Sequence, residues 1–255
     1  MLETAKEIVV EDVGGARWLR IARPEKKNAL TVAMYAAMAD AIETANDRVD
    51  ISSIVILAEG TTFTAGNDLM DFVKNPPAGF GSPVFRFLRA LVRTPLPLIA
   101  AVQGAAIGIG TTMLLHCDFV YASSNARFAV PFVDLGLVPE AASSLLLPRA
   151  IGALRAAEML YLGRSLTAAE ALEAGLVGTV TEPDALIALA TETATTLAGK
   201  PRNALLETKK LVRGNADDLE SRMQTEAAVF AQQLASPEAQ KAFAAFFQGR
   251  SGNPN

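Results

Sequence analysis

The pattern of apolar and polar positions predicts an α/β arrangement in the first part of the chain. Ile8–Val13 and Trp18–Ala22 are rich in β-forming residues and flank Gly14-Gly15, which favours a hairpin. Ser53–Ala58 and Leu98–Val102 are short and almost wholly apolar, as is typical of strands that are covered on both faces. Because helical segments and loops separate these runs, we predict a sheet that is at least partly parallel.

Further helices and a strand are predicted around these runs. Thr31 is a predicted helix N-cap, and apolar residues behind it recur at the three- and four-residue spacing of a buried helical face. Val84–Arg93 is predicted as a helix that ends at a proline, and Asp118–Ala122 as a strand. The segment Asp71–Ser82 contains Pro76-Pro77 and two glycines, so we expect a mobile surface segment there.

The later part of the chain is predominantly helical. Thr167-Ala168-Ala169-Glu170 has the form of a capping box, and Gly175 is the predicted C-cap. Beyond Pro183, helices are predicted at about residues 185–198, 202–213, 216–235 and 237–247. We therefore expect an α/β core over residues 1–180 and a helical C-terminal region over residues 181–255.

Composition and charge exclude several classes of function. The chain has 255 residues, of which 51% are hydrophobic and 20% charged, values that are typical of globular proteins. A net charge of −4 argues against nucleic acid as a partner. Pro97–Gly110, the most apolar stretch, is interrupted by glycines and is shorter than the ~20 residues that span a bilayer, so no membrane partner is expected. Since the first residues contain no apolar signal-peptide core, we expect a cytoplasmic protein.

The sequence offers few residues for nucleophilic or metal-dependent chemistry. His116 is the only histidine and Cys117 the only cysteine, so neither a zinc site nor a Ser-His-Asp triad is supported, and no metal is expected. Both lie in the apolar run Met113–Val120, where a packed core histidine and a buried reduced thiol are the favoured interpretations. Asp118 lies in the same run and is interpreted as structural.

Two glycine-rich turns follow buried strands and are candidates for ligand binding. Ala65-Gly66-Asn67-Asp68 follows one strand, and the glycines of Gly104–Gly110 lie where a later strand meets a helix. Their spacing matches neither a dinucleotide fingerprint nor a phosphate-binding P-loop. Tight strand–helix packing explains the glycines of the second turn equally well. If backbone N–H groups of both turns converge at the carboxyl edge of the sheet, they would form an oxyanion hole.

Glu140 stands apart from the other carboxylates. It follows the apolar segment Leu135–Pro139 and is predicted to open a helix of small residues, Ala141–Ser144. An apolar surround raises the pKa of a carboxyl group, which suits a general base near neutral pH. The alternative is a first-turn glutamate that complements the helix dipole, and spacing alone favours this alternative.

Several segments, taken in their order, resemble the crotonase superfamily, also called the enoyl-CoA hydratase/isomerase family. The resemblance covers about residues 8–250 and is carried by Arg23-Pro24, Asn28-Ala29-Leu30, Thr64–Leu69, Ala100–Gly110, Cys117–Ala122 and Thr167–Val177. It implies an α/β fold of the crotonase (ClpP/crotonase-like) type, in which a spiral of ββα units is followed by a helical C-terminal region used in trimerisation. We therefore expect a homotrimer or a hexamer, with Phe230 and Phe243 among the apolar residues of the associating tail.

The resemblance also implies an acyl-CoA site. In the family the oxyanion hole consists of two backbone N–H groups, which here belong to Asn67 and Ile109. Substrate contacts are implied for the first loop, for glycines of the second loop and for one aromatic residue, namely Ala65, Gly66, Asp68, Leu69, Gly108, Gly110 and Phe132. Asp68 is expected to stabilise its loop rather than to catalyse. Coenzyme A is part of the substrate, so no separate cofactor is expected.

Two departures from the family pattern distinguish this chain from the hydratases. Family hydratases carry two catalytic glutamates, at positions that hold Thr112 and Phe132 here. A hydroxyl cannot replace a carboxylate as a general base of matched pKa. The chain more closely resembles the peroxisomal-type Δ3,Δ2-enoyl-CoA isomerases, whose single catalytic glutamate corresponds to Glu140. This closer resemblance is carried by Asn67-Asp68-Leu69, Pro76-Pro77, Gly108–Leu114 and Pro139-Glu140.

These features predict a Δ3,Δ2-enoyl-CoA isomerase in which Glu140 moves one proton from C2 to C4 of the acyl chain. Apolar neighbours such as Phe132 and Leu135 are expected to exclude water from the base. Ala141 stands where glycine is common in the isomerase branch, so the local backbone is expected to differ slightly. One alternative is a hydratase, which is a lyase, or another crotonase-type enolate enzyme that enlists Asp134. Another is a non-catalytic acyl-CoA-binding protein.

Overall fold

The computed structural model describes residues 6–75, 79 and 81–251, and its strands form two sheets. The strands are β1 (Ile8–Val13), β2 (Ala16–Ile21), β3 (Ser53–Ala58), β4 (Leu98–Val102), β5 (Ala105–Ile107), β6 (Phe119–Ser123), β7 (Arg127–Ala129), β8 (Leu166–Thr167) and β9 (Thr179–Thr181). One sheet has the strand order β1-β2-β3-β4-β6-β9, and the other has the order β5-β7-β8.

Helices make up most of the remaining chain. They are α1 (Val32–Asn46), α2 (Leu69–Lys74), α3 (Pro83–Arg93), α4 (Ile109–Thr112), α5 (Ser143–Ile151), α6 (Ala153–Leu162), α7 (Ala168–Ala174), α8 (Leu186–Ala198), α9 (Arg202–Arg213), α10 (Ala216–Leu234) and α11 (Pro237–Ser251). Short 3-10 helices include Met113–His116 and Val133–Leu135. Within the described ranges, no helix combines the length and the apolar character that crossing a membrane requires.

The larger sheet is mixed, as the sequence predicted. β1 and β2 form the predicted antiparallel hairpin, whereas the pairs β2–β3, β3–β4, β4–β6 and β6–β9 are parallel. Gly14 and Gly15 have φ angles of 62° and 77°, which the hairpin turn requires and which glycine adopts without strain. Because β3 and β4 are parallel neighbours, the loops that follow them leave the sheet at the same edge.

The larger sheet is covered on both faces, which explains why β3 and β4 are buried at every position. Ile54 and Ile56 of β3 belong to the main core together with residues of α1 and α3. Val55 and Leu57 point to the opposite face and join a second cluster. The helix α8 contributes Leu186, Ala190, Ala194 and Leu197 to this second cluster. The division of the chain at residue 180 stays a prediction.

Predicted helix boundaries are confirmed at α1 and α7. The N–H of Met34 donates to Thr31 Oγ1 at 3.3 Å, which caps α1. At α7 the N–H of Glu170 donates to Thr167 Oγ1 at 3.1 Å, and the N–H of Thr167 donates to Glu170 Oε2 at 2.8 Å. Gly175 ends α7 with a left-handed φ of 84°. The capping box therefore forms as its sequence indicated.

Two elements that the sequence analysis did not predict lie in the segments after β3 and β4. Leu69–Lys74, placed partly in a mobile segment, forms the helix α2 because Asp68 caps it. Asp68 Oδ1 accepts two N–H groups of the first turn, at 3.1 and 3.2 Å. Ala105–Ile107, expected within a glycine-rich turn, is the strand β5 and pairs with β7. Pro76-Pro77 lie outside the described residues.

Substitution of Gly104 tests how tightly these loops pack. A Cβ at Gly104 would lie 1.9 Å from the carbonyl oxygen of Thr61, and the φ of Gly104 is +59°. Gly14 has a similar φ of +62° with open space around it, so Gly14→Ala is the matched control. We expect Gly14→Ala to lower the free energy of unfolding by about 1–2 kcal/mol through left-handed strain, and Gly104→Ala to lower it by clearly more. Urea denaturation measures both losses, and equal losses would contradict the close packing.

Candidate active site

Two loops that follow neighbouring parallel strands are hydrogen-bonded to each other. The N–H of Thr64 donates to the carbonyl of Ala105, and the N–H of Ile107 donates to the carbonyl of Thr64, both at 3.0 Å. Glycines permit this approach, since a Cβ at Gly66 would lie 2.9 Å from the carbonyl oxygen of Ile107. A Cβ at Gly110 would lie 2.5 Å from the side chain of Thr64. The two glycine turns therefore converge, and close backbone packing holds them together.

The backbone N–H groups of Asn67 and Ile109 have no hydrogen-bond acceptor among the described residues. Leu30 donates to the carbonyl of Gly66 and accepts from the N–H of Asp68, both at 2.8 Å. Because these bonds lie on either side of Asn67, its own N–H points away from Leu30. Ile109 is the first residue of α4, where an N–H has no partner within the helix. Their role in an oxyanion hole stays a prediction.

The other predicted contact residues of the two loops lie beside these groups. The N–H of Ala65 donates to the carbonyl of Lys27 at 2.9 Å. Leu69 is the first residue of α2 and is half-buried. Gly108 has a φ of 57°, and its N–H donates to the carbonyl of Ala129 at 2.8 Å. Their contacts with substrate stay predictions.

Two residues that received no role from the sequence hold the first loop in place. Tyr35 of α1 is 1% exposed and donates its O–H to Asn67 Oδ1. Burial, and secondly the charge of Glu140, raise the pKa of Tyr35 well above its usual value, so the phenol remains a donor. Arg23 Nη1 lies 2.8 Å from Asp68 Oδ2, so Asp68 both caps α2 and anchors its loop. Arg23 could have been found from the sequence, because it belongs to a segment that carries the family resemblance. The sequence around Tyr35 shows only the apolar periodicity of a buried helix.

Glu140 is buried with one carboxylate oxygen unpaired. The residue is 8% exposed, and Oε1 has no hydrogen-bond partner in the described part of the chain. Burial raises the pKa of Glu140 to about 8, and the negative charge of Glu226 contributes to the rise. A carboxylate in this setting is a stronger base than an exposed one.

The predicted start of the helix after Glu140 was wrong. α5 begins at Ser143, so Glu140 precedes the helix and does not occupy its first turn. Ala141 and Ala142 intervene with φ angles of 60° and 57°, in the left-handed region that favours glycine. Glu226 supplies the carboxylate at the N-terminus of α5 instead. The interpretation of Glu140 as a residue that complements the helix dipole is therefore wrong.

The wall around Glu140 includes side chains that the sequence analysis did not expect there. Glu140 and Glu226 line a small cavity of about 20 Å³. Its apolar lining comes from α2, α3 and α10 and from the residue that follows Glu140, namely Phe72, Val84, Phe85, Ala141, Met223, Ala227 and Phe230. The segment Leu135–Pro139, which precedes Glu140 in sequence, does not line this cavity. Helices that are distant in the chain supply this lining, and the expectation that Phe132 and Leu135 exclude water from Glu140 stays a prediction.

A larger cavity of about 660 Å³ adjoins the small one. The two cavities share four residues, Phe72, Phe85, Ala227 and Phe230. The rings of Phe72 and Phe230 meet edge to face, with centroids 6.0 Å apart and planes at 76°. The same apolar side chains thus line both the larger cavity and the surround of the carboxylate.

The positions that carry glutamates in hydratases hold no carboxylate, and Asp134 lies elsewhere. Thr112 is fully buried, and its Oγ1 has no partner within the described ranges. Phe132 is buried but does not line the cavity of Glu140, so its contact with substrate stays a prediction. Asp134 is exposed, and its Oδ2 would lie 2.5 Å from a Cβ at Gly163, at the end of α6. This placement gives no support to Asp134 as a second catalytic carboxylate.

The residues before β6 pack into the core as the sequence predicted. His116 is buried, and its Nε2 lies 2.8 Å from the carbonyl oxygen of Ala141. Burial lowers the pKa of His116 to about 4 and raises the pKa of Cys117 to about 12. Asp118 lies 2.8 and 2.9 Å from two basic side chains of α9. The described residues contain no cluster of three or more His, Cys, Asp or Glu that could hold a metal ion.

The sequence matches the family described as enoyl-CoA hydratase/isomerase over residues 14–253. Enoyl-CoA delta isomerase 2 from Rattus norvegicus is 37% identical over 219 residues, which make up 84% of this chain and 56% of that protein. The chain spans little more than half the length of the delta isomerases that it matches. Crotonyl-CoA hydratase from Syntrophomonas wolfei is 31% identical over 257 residues, with 97% of both proteins covered.

A solved structure extends the comparison to the fold. The enoyl-CoA hydratase/isomerase from Pseudoalteromonas atlantica T6c is 46% identical, covers 96% of this chain and 98% of its own, and gives a TM-score of 0.92. The crotonase fold with a helical C-terminal region, predicted from the sequence, is confirmed. Fold and sequence agree, and the chain belongs to the enoyl-CoA hydratase/isomerase family.

Proposed function

We propose that the protein is an acyl-CoA isomerase that moves a Δ3 double bond to Δ2 through an enolate. The observation that carries this proposal is the buried Glu140, whose carboxylate has a free oxygen. Thr112 and Phe132 hold the positions to which the family resemblance assigns the glutamates of the hydratases. Delta isomerases among the relatives support the same class of reaction.

The reaction requires one proton shuttle. The thioester oxygen accepts hydrogen bonds from the N–H groups of Asn67 and Ile109. Glu140 takes the proton from C2, and the electron pair of that C–H bond passes into a dienolate whose charge lies on the thioester oxygen. Glu140 then returns the proton to C4, which leaves the double bond between C2 and C3. One proton leaves and one returns, so neither water nor a second carboxylate takes part.

The surround of Glu140 favours this shuttle over hydration. Apolar side chains of α2, α3 and α10 surround a cavity of about 20 Å³ beside the carboxylate, which has room for about one water molecule. A substrate that displaces this water keeps the abstracted proton on Glu140 for return to the acyl chain. The adjoining apolar cavity of about 660 Å³ offers a place for an acyl chain.

Glu140→Gln keeps the size of the side chain and removes the base. Isomerisation of a 3-enoyl-CoA should fall by at least about 10²–10⁴-fold, the contribution of general acid–base catalysis. The Kd for the acyl-CoA should change little, because both backbone loops remain intact. Steady-state kinetics and titration calorimetry measure the two effects.

Asp134→Asn is the matched control for Glu140→Gln, because its exposed carboxylate lies beside Gly163 and away from the cavity. This variant should keep full isomerase activity.

A hydratase is the second candidate, since the hydratase from Syntrophomonas wolfei matches over 97% of both proteins. Fast addition of water to a 2-enoyl-CoA by the wild type, surviving in Glu140→Gln, would favour the hydratase and exclude the proposed shuttle.

The pH dependence reports the state of the base. Glu140 must lose its proton before it can accept one from C2, and burial sets its pKa at about 8. Below that pH the base is protonated, so kcat/KM should rise by about tenfold per pH unit and level off above about pH 8. An ordinary glutamate would give a plateau from about pH 5. A pH–rate profile between about pH 5 and 9.5 distinguishes the two, and the early plateau would contradict a desolvated base.

We also propose a homotrimer or hexamer, whose associating surface includes exposed apolar side chains outside the expected tail. Phe230 and Phe243 are buried in the core of their own chain. The exposed large apolar side chains on α6 and α9 are Leu154, Tyr161, Leu162, Leu211 and Val212. Since such side chains favour burial between subunits, light scattering at micromolar concentration should give about three or six times the mass of one chain. The mass of a monomer would refute the assembly.

A further inference from the structure

Glu226 of α10 is a second glutamate buried beside the base, and its hydrogen bonds all run to the segment after Glu140. Glu226 Oε2 accepts from the N–H of Ala142 at 2.7 Å. Its Oε1 accepts from the N–H and the O–H of Ser144, at 3.0 and 2.5 Å. The residue is 7% exposed. Both carboxylate oxygens are therefore engaged, in contrast to the free oxygen of Glu140.

This contact supplies a cap that α5 lacks. Ala142 occupies the N-cap position and has no side chain that could accept a hydrogen bond. The first N–H groups of a helix have no partner within it, and the N-terminus favours negative charge. Glu226 accepts N–H groups on both sides of the helix start and places a carboxylate there. Because Glu226 belongs to α10, the C-terminal helices and the segment of the base are tied together.

The turn between Glu140 and α5 needs such an anchor. Ala141 and Ala142 both have a left-handed backbone, which costs free energy for residues that carry a Cβ. His116 binds the carbonyl of Ala141, and Glu226 binds the N–H of Ala142. The strained turn is thus held at two consecutive residues. The same turn fixes the backbone from which the Glu140 side chain projects.

We infer that Glu226 is a positioning residue for Glu140: by holding the backbone at Ala142 and Ser144, it aims the base into the cavity that both glutamates line. The inference rests on the proposed function, in which Glu140 is the base. Glu226 is not placed to transfer a proton itself, because three donors occupy its two oxygens.

The charge of Glu226 acts on the base as well. It opposes ionisation of Glu140 and adds to the rise in pKa that burial causes. The other titratable or charged groups that bear on the pair are Tyr35 of α1, His116 and Arg222 of α10. Tyr35 and His116 are neutral near pH 8, because burial raises the pKa of Tyr35 and lowers that of His116. Burial raises the pKa of Glu226, an effect that the nearby Arg222 partly offsets. The side chains that α2 and α3 contribute to the cavity are apolar, so among the described residues the two glutamates dominate titration there.

Glu226→Gln keeps the size of the side chain, removes its charge and leaves one oxygen to accept N–H groups. Asp218→Asn is the matched control, since it makes the same chemical change at an exposed position of α10. Glu226→Asp keeps the charge and shortens the side chain. The full-length variants are compared by hydrogen–deuterium exchange over residues 141–146, by kcat and KM for a 3-enoyl-CoA, and by the pH dependence of kcat/KM.

We expect faster exchange at Ala142 and Ser144 in Glu226→Gln. Its kcat should fall by about 10- to 100-fold with KM within about twofold, as for a misplaced catalytic group. Its pH inflection should move to lower pH by up to roughly one unit, because a neighbouring negative charge is lost. Glu226→Asp should lower kcat, while the inflection in the pH dependence of its kcat/KM stays near that of the wild type. A purely structural role would not separate these two effects. Asp218→Asn should match the wild type in all three measurements.

Unchanged exchange together with unchanged kcat in Glu226→Gln would overturn the inference, since the turn would then be held without this carboxylate. A loss as complete as that of Glu140→Gln, with no inflection remaining, would also overturn it, because Glu226 would then transfer the proton itself. Absence of isomerase activity in the wild type would remove the proposed function, while the exchange measurement still decides whether Glu226 holds the turn.

Discussion

The backbone contact between Thr64 and the strand Ala105–Ile107 is the constraint from which the site follows. It brings loops from two parallel strands so close that Gly66, Gly104 and Gly110 have no room for a Cβ. The unpaired N–H groups on these loops are therefore placed by main-chain packing and not by the identity of their side chains. Donors fixed in this way need no reorganisation when charge develops on a bound oxygen, which is the main source of strength in an oxyanion hole.

The proposed base, Glu140, lies in a separate part of the chain, and its environment is assembled over long sequence distances. An unpaired carboxylate oxygen in an apolar cavity is unfavourable for folding unless the group takes up a proton. Because burial makes ionisation of Glu140 costly, its carboxylate binds a proton more tightly than an exposed carboxylate does and is therefore a stronger base. Tyr35 links the two halves of the site, since it binds the side chain of Asn67 and is affected by the charge of Glu140. In the proposed mechanism, substrate polarisation and proton transfer thus share one packed scaffold.

The sequence predicted those elements whose signals are local. Apolar periodicity predicted the strands β3 and β4 and most helices of the C-terminal half. Burial on one or two faces of an element determines which neighbouring positions are apolar, so the signal is local. The helix α2 was missed because a single cap at Asp68 stabilises it. The start of α5 was misplaced because alanine favours helices, whereas Ala141 and Ala142 have a left-handed backbone. The N–H of Ala142 binds Glu226, which lies 84 residues further along the chain. Resemblance suggested Glu140, but no local pattern could reveal the residues that hold it.

The two buried glutamates are consistent with the proposed shuttle of one proton. Here Glu226 contributes negative charge beside the base, yet backbone and hydroxyl donors occupy both of its oxygens. Thr112, which is fully buried, adds no further carboxylate to this core. The arrangement therefore favours one mobile proton on one carboxylate, with the other glutamate committed to holding the backbone.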